Sequence, residues 1–320
     1  MPSKIIMMMP TAVRIAIRAA FLLLLLVLVP VSSRAGDEKI AVLISANDAP
    51  FKEAVTGFND FLARQGYKAG YEVFQLDGSA GKAVPAIQKI KAGGARLVFT
   101  VGSLATDAAV KGISDIPIVA CLVLRTDLLK RHENATGVGL EFPVETQIEW
   151  MQRMLPRART VGIIYNAAEN QAKVDEAAAA AKRAGLRLEV EQVRSPQDVP
   201  AALNNLSRRV DILWGLPDSI MLSPLIAKNV LLFSLRNSIP VVGPSAAWVK
   251  AGALYSLDGD YADLGAQCGE MAARVLEGAR PASIPASAPR KVQYTLNLYT
   301  AKQMRLSLSD QLLSGAHQTY

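Results

Sequence analysis

Arg96-Leu97-Val98-Phe99-Thr100-Val101-Gly102-Ser103-Leu104-Ala105-Thr106 passes from a strand into a helix. Residues 96–101 are an apolar run of strand length. Gly102 breaks it, and a helix follows from about Ser103 to Lys111. The same unit recurs on both sides. Upstream, the apolar run 40–44 precedes Phe51, Val55, Phe58 and Leu62, whose three- and four-residue spacing marks one helix face. Gly66 ends that helix. Residues 71–76 form the next strand, and Val84, Ile87 and Ile90 the next helix, closed by Gly93-Gly94. Downstream, 116–124 is a fourth apolar run, entered through Pro117. A β-α-β-α-β-α-β order implies a parallel sheet with helices on both faces.

The pattern restarts after residues 140–144. Helix 147–155 stops at Pro156, strand 160–165 follows, and an alanine-rich helix over 169–184 ends at Gly185. Strands at 186–193, 210–214, 239–242 and 253–257 alternate with helices at 196–208 and 219–237, with Pro224 in the first turns of the latter. A last helix spans 261–276, and 292–298 returns across both halves after the proline-rich 281–289 loop. The expected fold is α/β, with two doubly wound parallel-sheet domains joined by a multi-strand hinge. One lobe takes residues 36–141 plus about 259–292. The other takes 142–258 plus about 293–320. Two such sheets leave a cleft at the carboxyl ends of their strands, where open α/β sheets bind ligands.

The 320-residue chain has 35 Lys+Arg, 28 Asp+Glu and a formal charge of +7. Four of those bases, Lys4, Arg14, Arg18 and Arg34, lie in residues 1–35, which hold no acid. Taking the four from 35 leaves 31 bases against 28 acids in the remaining 285 residues. Nucleic-acid binding, which needs a concentrated basic face, is not indicated. Residues 1–35 read as a secretory signal peptide: a basic start, an uncharged run over 19–31 containing Leu22 to Leu26, and Ser33-Arg34-Ala35 for cleavage near Ala35. The run is too short to span a membrane comfortably. A soluble protein in the periplasm or outside the cell is expected. Its two cysteines, Cys121 and Cys268, are expected to be free and buried, with a disulfide as the other option.

Several motifs carry a resemblance: Val101-Gly102-Ser103-Leu104-Ala105-Thr106, Asn134-Ala135-Thr136-Gly137-Val138, Val161-Gly162-Ile163-Ile164-Tyr165-Asn166 with Glu169, Ala251-Gly252-Ala253, and Asp260-Tyr261-Ala262-Asp263-Leu264-Gly265. In this order they resemble the ABC-transporter substrate-binding proteins of the TrpX-like group. The resemblance covers nearly all of residues 38–308 and implies the type I periplasmic-binding-protein clamshell. It also implies a small-molecule ligand, aromatic amino acids being among those the group takes, and a membrane ABC permease as partner. Ala167 stands where such proteins usually have proline, and Asn170-Gln171 where they often have serines. These departures fall on cleft loops and bear on the ligand.

The candidate ligand-binding residues sit at strand ends. Ser103, Leu104 and Ala105 open a helix whose positive end favours an anion such as a carboxylate; Ser103 reads equally as a helix cap. Asn47 follows the first strand and offers a donor and an acceptor, while Asp48 reads as a cap. Cys121 ends the fourth apolar run. Asn166 ends the first strand of the second half, with Glu169 as a first-turn acid. Asp218 can bind a ligand ammonium or cap the helix that follows, through different oxygens. Ser245 can cap or contact, and Tyr255 can stack on an aromatic ligand or pack.

The expected protein is a monomeric solute-binding clamshell that delivers its ligand to an ABC permease and needs no cofactor or metal. A sensory subunit docking on a receptor ectodomain would use the same fold. A secreted enzyme is the third reading. Against it stand only two histidines, His132 and His317, and the absence of both Gly-x-Ser-x-Gly and His-Glu-x-x-His.

Overall fold

The computed structural model describes residues 38–124 and 126–320. The leader expected over residues 1–35 lies outside them. The first sheet holds β1 (Glu38–Ile44), β2 (Ala69–Gln75), β3 (Leu97–Val101), β4 (Ile118–Val123) and β5 (Ala135–Gly139), in the order β2-β1-β3-β4-β5. Every neighbour pair is parallel. Helices α1 (Ala49–Arg64), α2 (Ala83–Ala92) and α3 (Ser103–Gly112) connect the strands. Ile40 to Ile44 are all buried, as a continuous apolar run must be when helices cover both faces of a sheet. β5 was not anticipated: its Ala-Thr-Gly-Val-Gly sequence has neither a long apolar run nor an alternation.

After α4 (Val144–Met154) the second sheet is built from β6 (Thr160–Asn166), β7 (Arg187–Val193), β8 (Ile212–Trp214), β9 (Val241–Val242), β10 (Tyr255–Gly259), β11 (Val292–Leu296) and β12 (Gln318–Thr319). Their order is β12-β11-β10-β9-β8-β6-β7. β11 runs antiparallel to β10, and the other pairs are parallel. The helices are α5 (Ala167–Arg183), α6 (Val199–Leu206), α7 (Pro224–Asn237), α8 (Ala246–Ala251), α9 (Tyr261–Leu276), α10 (Leu298–Gln303) and α11 (Asp310–Ser314). The helix expected from Ser219 starts instead at Pro224. Proline has no N–H to give the preceding turn and its fixed φ suits a first helical position, so residues 219–223 form turns.

α9 follows β10 of the second sheet yet packs on the first. Leu264 and Cys268 share a core with Ile40, Val42 and Phe58. The contact with α1 is backbone on backbone. A Cβ on Gly57 would lie 1.9 Å from the carbonyl oxygen of Ala262, and one on Gly265 1.9 Å from that of Ala54. The chain therefore passes between the sheets at residues 140–143, at Asp260, and again at residues 290–291. At the last two places Arg290 donates from Nε to Asp263 at 2.8 Å, and Lys291 lies 3.1 Å from the same carboxylate. Burial would raise the pKa of Asp263; the two cations overcome it and hold the carboxyl below its ordinary range.

Candidate functional site

At the carboxyl edge of the first sheet the loops tie to one another through hydroxyls. Ser45 Oγ, just past β1, accepts from the Ala105 N–H at 2.9 Å. Ser103 Oγ accepts from the Leu124 N–H at 3.3 Å. Gly102, not Ser103, caps α3; its φ is 92°, and a Cβ there would lie 2.5 Å from Ser45 Oγ. Only glycine fits a left-handed turn this crowded. Asn47 is exposed beyond β1. Asp48 precedes α1 without a side-chain capping bond, contrary to the expectation that it caps. Cys121 is fully buried and Cys268 lies beside it; both are free thiols. Burial first, then the neighbouring Cys121 thiol, pushes the Cys268 pKa well up.

The edge of the second sheet is held by carboxylates. Asp218 is 2% exposed. Its Oδ1 accepts from the N–H groups of Ile220 at 3.0 Å and Met221 at 2.8 Å. Its Oδ2 accepts from the Asn166 N–H at 2.9 Å and Asn170 Nδ2 at 3.3 Å. These bonds cap the 219–223 turn and not the helix, whose N-cap is Ser223, and the other oxygen is held by the end of β6. Asn166 caps α5 by accepting from the Ala168 N–H at 3.2 Å, and its Nδ2 donates to Glu169 at 2.8 Å. Glu169 also accepts from the Ser219 N–H at 3.1 Å and from the Ser219 hydroxyl. Tyr255 is fully buried in the core that also holds Trp214 and Leu296, with its hydroxyl unpaired by protein.

A cavity of about 310 Å³ lies where the chain crosses between the sheets. Its walls are Leu140, Phe142 and Val144 from the crossing, Trp214 to Pro217 after β8, Gly243 to Ser245 after β9, Leu257 to Gly259 of β10, and Tyr261 of α9. Leu124 reaches it from the first sheet. The polar groups in this apolar surround are Glu141 and Lys173, which form an ion pair, together with Gln147, Ser245, Asp258 and the Tyr261 hydroxyl. Asp258 accepts from Ser256 Oγ at 3.0 Å. Burial raises its pKa, against the pull of the Ser256 and Thr295 hydroxyls and the His317 charge. Burial raises Tyr261 as well, helped by the negative charges of Asp258 and Glu53. A larger groove of about 600 Å³, beside Pro156, Arg208 and Arg305, is at the opposite, amino end of the strands.

The model of the ABC transporter substrate binding protein family matches residues 39–320. The chain belongs to this family.

This binding protein is 26% identical over 267 residues to a tyrosine-binding protein of Clostridioides difficile (strain R20291), covering 79% of this chain and 76% of that one. Two solved structures share its fold. An ABC domain in complex with L-Trp from Streptococcus pneumonia has a TM-score of 0.63 at 24% identity, covering 89% of this chain and 100% of that one. The ligand-free, open structure of a substrate binding protein with adhesive properties from Clostridium difficile has a TM-score of 0.76 at 20% identity, covering 88% and 98%. The type I periplasmic-binding-protein fold is thereby established, and the family role brings a small-molecule ligand and an ABC permease. Among the described residues no helix is long and apolar enough to cross a membrane.

Of the residues singled out in the sequence, Ser245 lines the binding protein's cavity. Asn47, Ser103, Leu104 and Ala105 gather at the first sheet's edge, Asn166 and Asp218 at the second's, and Cys121 and Tyr255 point into the cores. Sequence reasoning missed Glu141, Lys173 and Tyr261 as lining residues. Trp214 is both 5% exposed and a cavity wall. The available signal was position: Glu141 lies in the crossing itself, and Asp258 near the end of a strand.

Proposed function

We propose that this protein captures an aromatic amino acid, or a close analogue, between two closing lobes and hands it to an ABC permease. One observation carries this reading. A cavity of about 310 Å³ sets aromatic walls, Phe142, Trp214 and Tyr261, beside charges of both signs, Lys173 with Glu141 and Asp258. A zwitterion with a flat apolar side chain needs that combination. The names of the tyrosine-binding relative and of the L-Trp complex support it.

In this reading Asp258 and Glu141 receive the ammonium, and Lys173 draws the carboxylate. The positive end of α3, at Ser103, Leu104 and Ala105, meets the ligand as residues 36–141 with about 259–292 close on 142–258 with about 293–320. Asn47 and Ser245 add hydrogen bonds at the two rims. Asp218 and Asn166 fix the loop that follows Trp214 and carries Leu216, so they act by positioning. Binding and release are the whole cycle, with no covalent step. The protein acts as a monomer outside the cytoplasm, after cleavage near Ala35.

The test is a thermal-shift and calorimetric panel of the mature protein against amino acids. At a hundredfold excess over Kd a ligand stabilises by about 2.7 kcal/mol. L-Tyrosine, L-tryptophan or L-phenylalanine should raise the midpoint by several degrees. A panel in which only non-aromatic compounds respond would overturn the aromatic reading.

A further inference from the structure

The outer face of α7 leaves three leucines exposed beside Lys228. Its inner face, Ile226, Val230 and Ser234 at four-residue spacing, is buried against the second sheet. Its outer face carries Leu225, Lys228, Leu232 and Leu235 at spacings of three, four and three, the a/d repeat of a helix that pairs with another helix. Leu225 is 65% exposed, and Leu235 45%. α1, by contrast, turns Lys52, Glu53, Asp60 and Arg64 outward. A helix that is apolar on both faces is one that something covers. Beside α7 runs a groove of about 570 Å³ with Leu231 and Trp248 among its walls and Tyr299, 65% exposed, at its side. Lys228 and Lys250 also line it; no carboxylate does.

We propose that this groove seats an amphipathic, carboxylate-bearing helix of the membrane permease; the proposal rests on the transport reading above. Two observations choose the occupant. Leu222 belongs both to the groove and to the wall of the cavity, so whatever sits in the groove meets a residue that also walls the cavity. That suits the partner that must distinguish loaded from empty protein. The lysines argue against a second copy of the chain, because a symmetric pairing through this face would bring two sets of Lys228 and Lys250 into one interface whose walls hold no carboxylate to offset them. A helix with acidic residues flanking its leucines complements both the apolar floor and the charge.

The test places a photo-crosslinking amino acid at position 232 or 235, both in the groove wall, of the full chain, in cells that also make the native transporter. The expected result is a light-dependent adduct with an integral membrane subunit of that transporter, identified by mass spectrometry. An adduct with a second copy of this chain, or no adduct from either position, overturns the proposal. Leu232→Glu, with the crosslinker at 235, should cut adduct formation and L-tyrosine uptake on the order of tenfold. The purified variant's thermal response to L-tyrosine should be unchanged; unchanged uptake would overturn the proposal. If that variant does not fold by circular dichroism, the exposed Lys228→Glu serves instead and should lower adduct yield. A wild-type protein that ignores every aromatic amino acid defeats the ligand reading alone, since the adduct reports on the groove whatever the ligand is.

Discussion

The two sheets end at the cleft in different chemistry. The first closes its edge with neutral hydroxyls, Ser45 on Ala105 and Ser103 on Leu124, each making one bond to backbone. The second closes its edge with Asp218, a buried carboxylate holding four donors. Nearly every wall of the cavity then comes from the second sheet and the crossings, with Leu124 from the first. The second half and the crossings thus supply nearly all of the cavity wall together with a buried carboxylate, and the first half ends in the N-terminus of α3.

The largest effect should come from Asp218→Ala. It strips four donors of a charged acceptor in a buried place, at a cost of about 4 kcal/mol in denaturant unfolding. A loss below about 1 kcal/mol would erase the contrast between the edges. Next, Asp258→Asn should weaken an aromatic amino acid about thirtyfold in calorimetry, near 2 kcal/mol, while leaving an uncharged aromatic analogue unaffected. Ser45→Ala should cost about 1 kcal/mol of stability, the value of one neutral hydrogen bond. Ser103→Ala is the smallest, a few tenths of a kcal/mol in stability; a marked loss of affinity for carboxylate ligands would promote Ser103 from loop tie to contact.

The carboxylates also separate by pH. Asp258 is raised by burial, so the folded protein holds its proton more tightly than the unfolded chain. Its contribution to stability is present below the unfolded pKa and fades as pH rises toward the raised value. Asp263 is lowered, so its contribution stands above the unfolded pKa and disappears as pH falls through the folded one. An ammonium placed on Asp258 favours its ionised form. Ligand binding should therefore weaken on acidification and release protons, which titration in buffers of differing ionisation enthalpy will register. Asp258→Asn should abolish that release.

The alternation of strands and helices was legible because parallel strands covered on both faces are unbroken apolar runs, such as 40–44 and 97–101. β5 was not, since glycine and threonine leave no pattern. Strand ends were found, but which way each side chain turns was not. Cys121 and Tyr255 stand at the same level as cleft residues and face the core. The Glu141–Lys173 pair joins positions far apart in the chain, and a pairing of that kind depends on tertiary packing that local spacing does not encode. That Asp218 could bond backbone through one oxygen was readable, and the partners of its other oxygen, Asn166 and Asn170, were not, because they come from another loop.

The central claim is that the cavity between the sheets recognises a zwitterion with an aromatic side chain. Calorimetric titration of the mature protein with L-tyrosine and L-tryptophan, repeated with tyramine and 4-hydroxyphenylpropionate, tests it most directly. The account predicts saturable one-to-one binding of at least one amino acid, and a loss of tenfold or more when either its carboxylate or its ammonium is removed. Equal affinity for the amino acid and for both truncated analogues would contradict it.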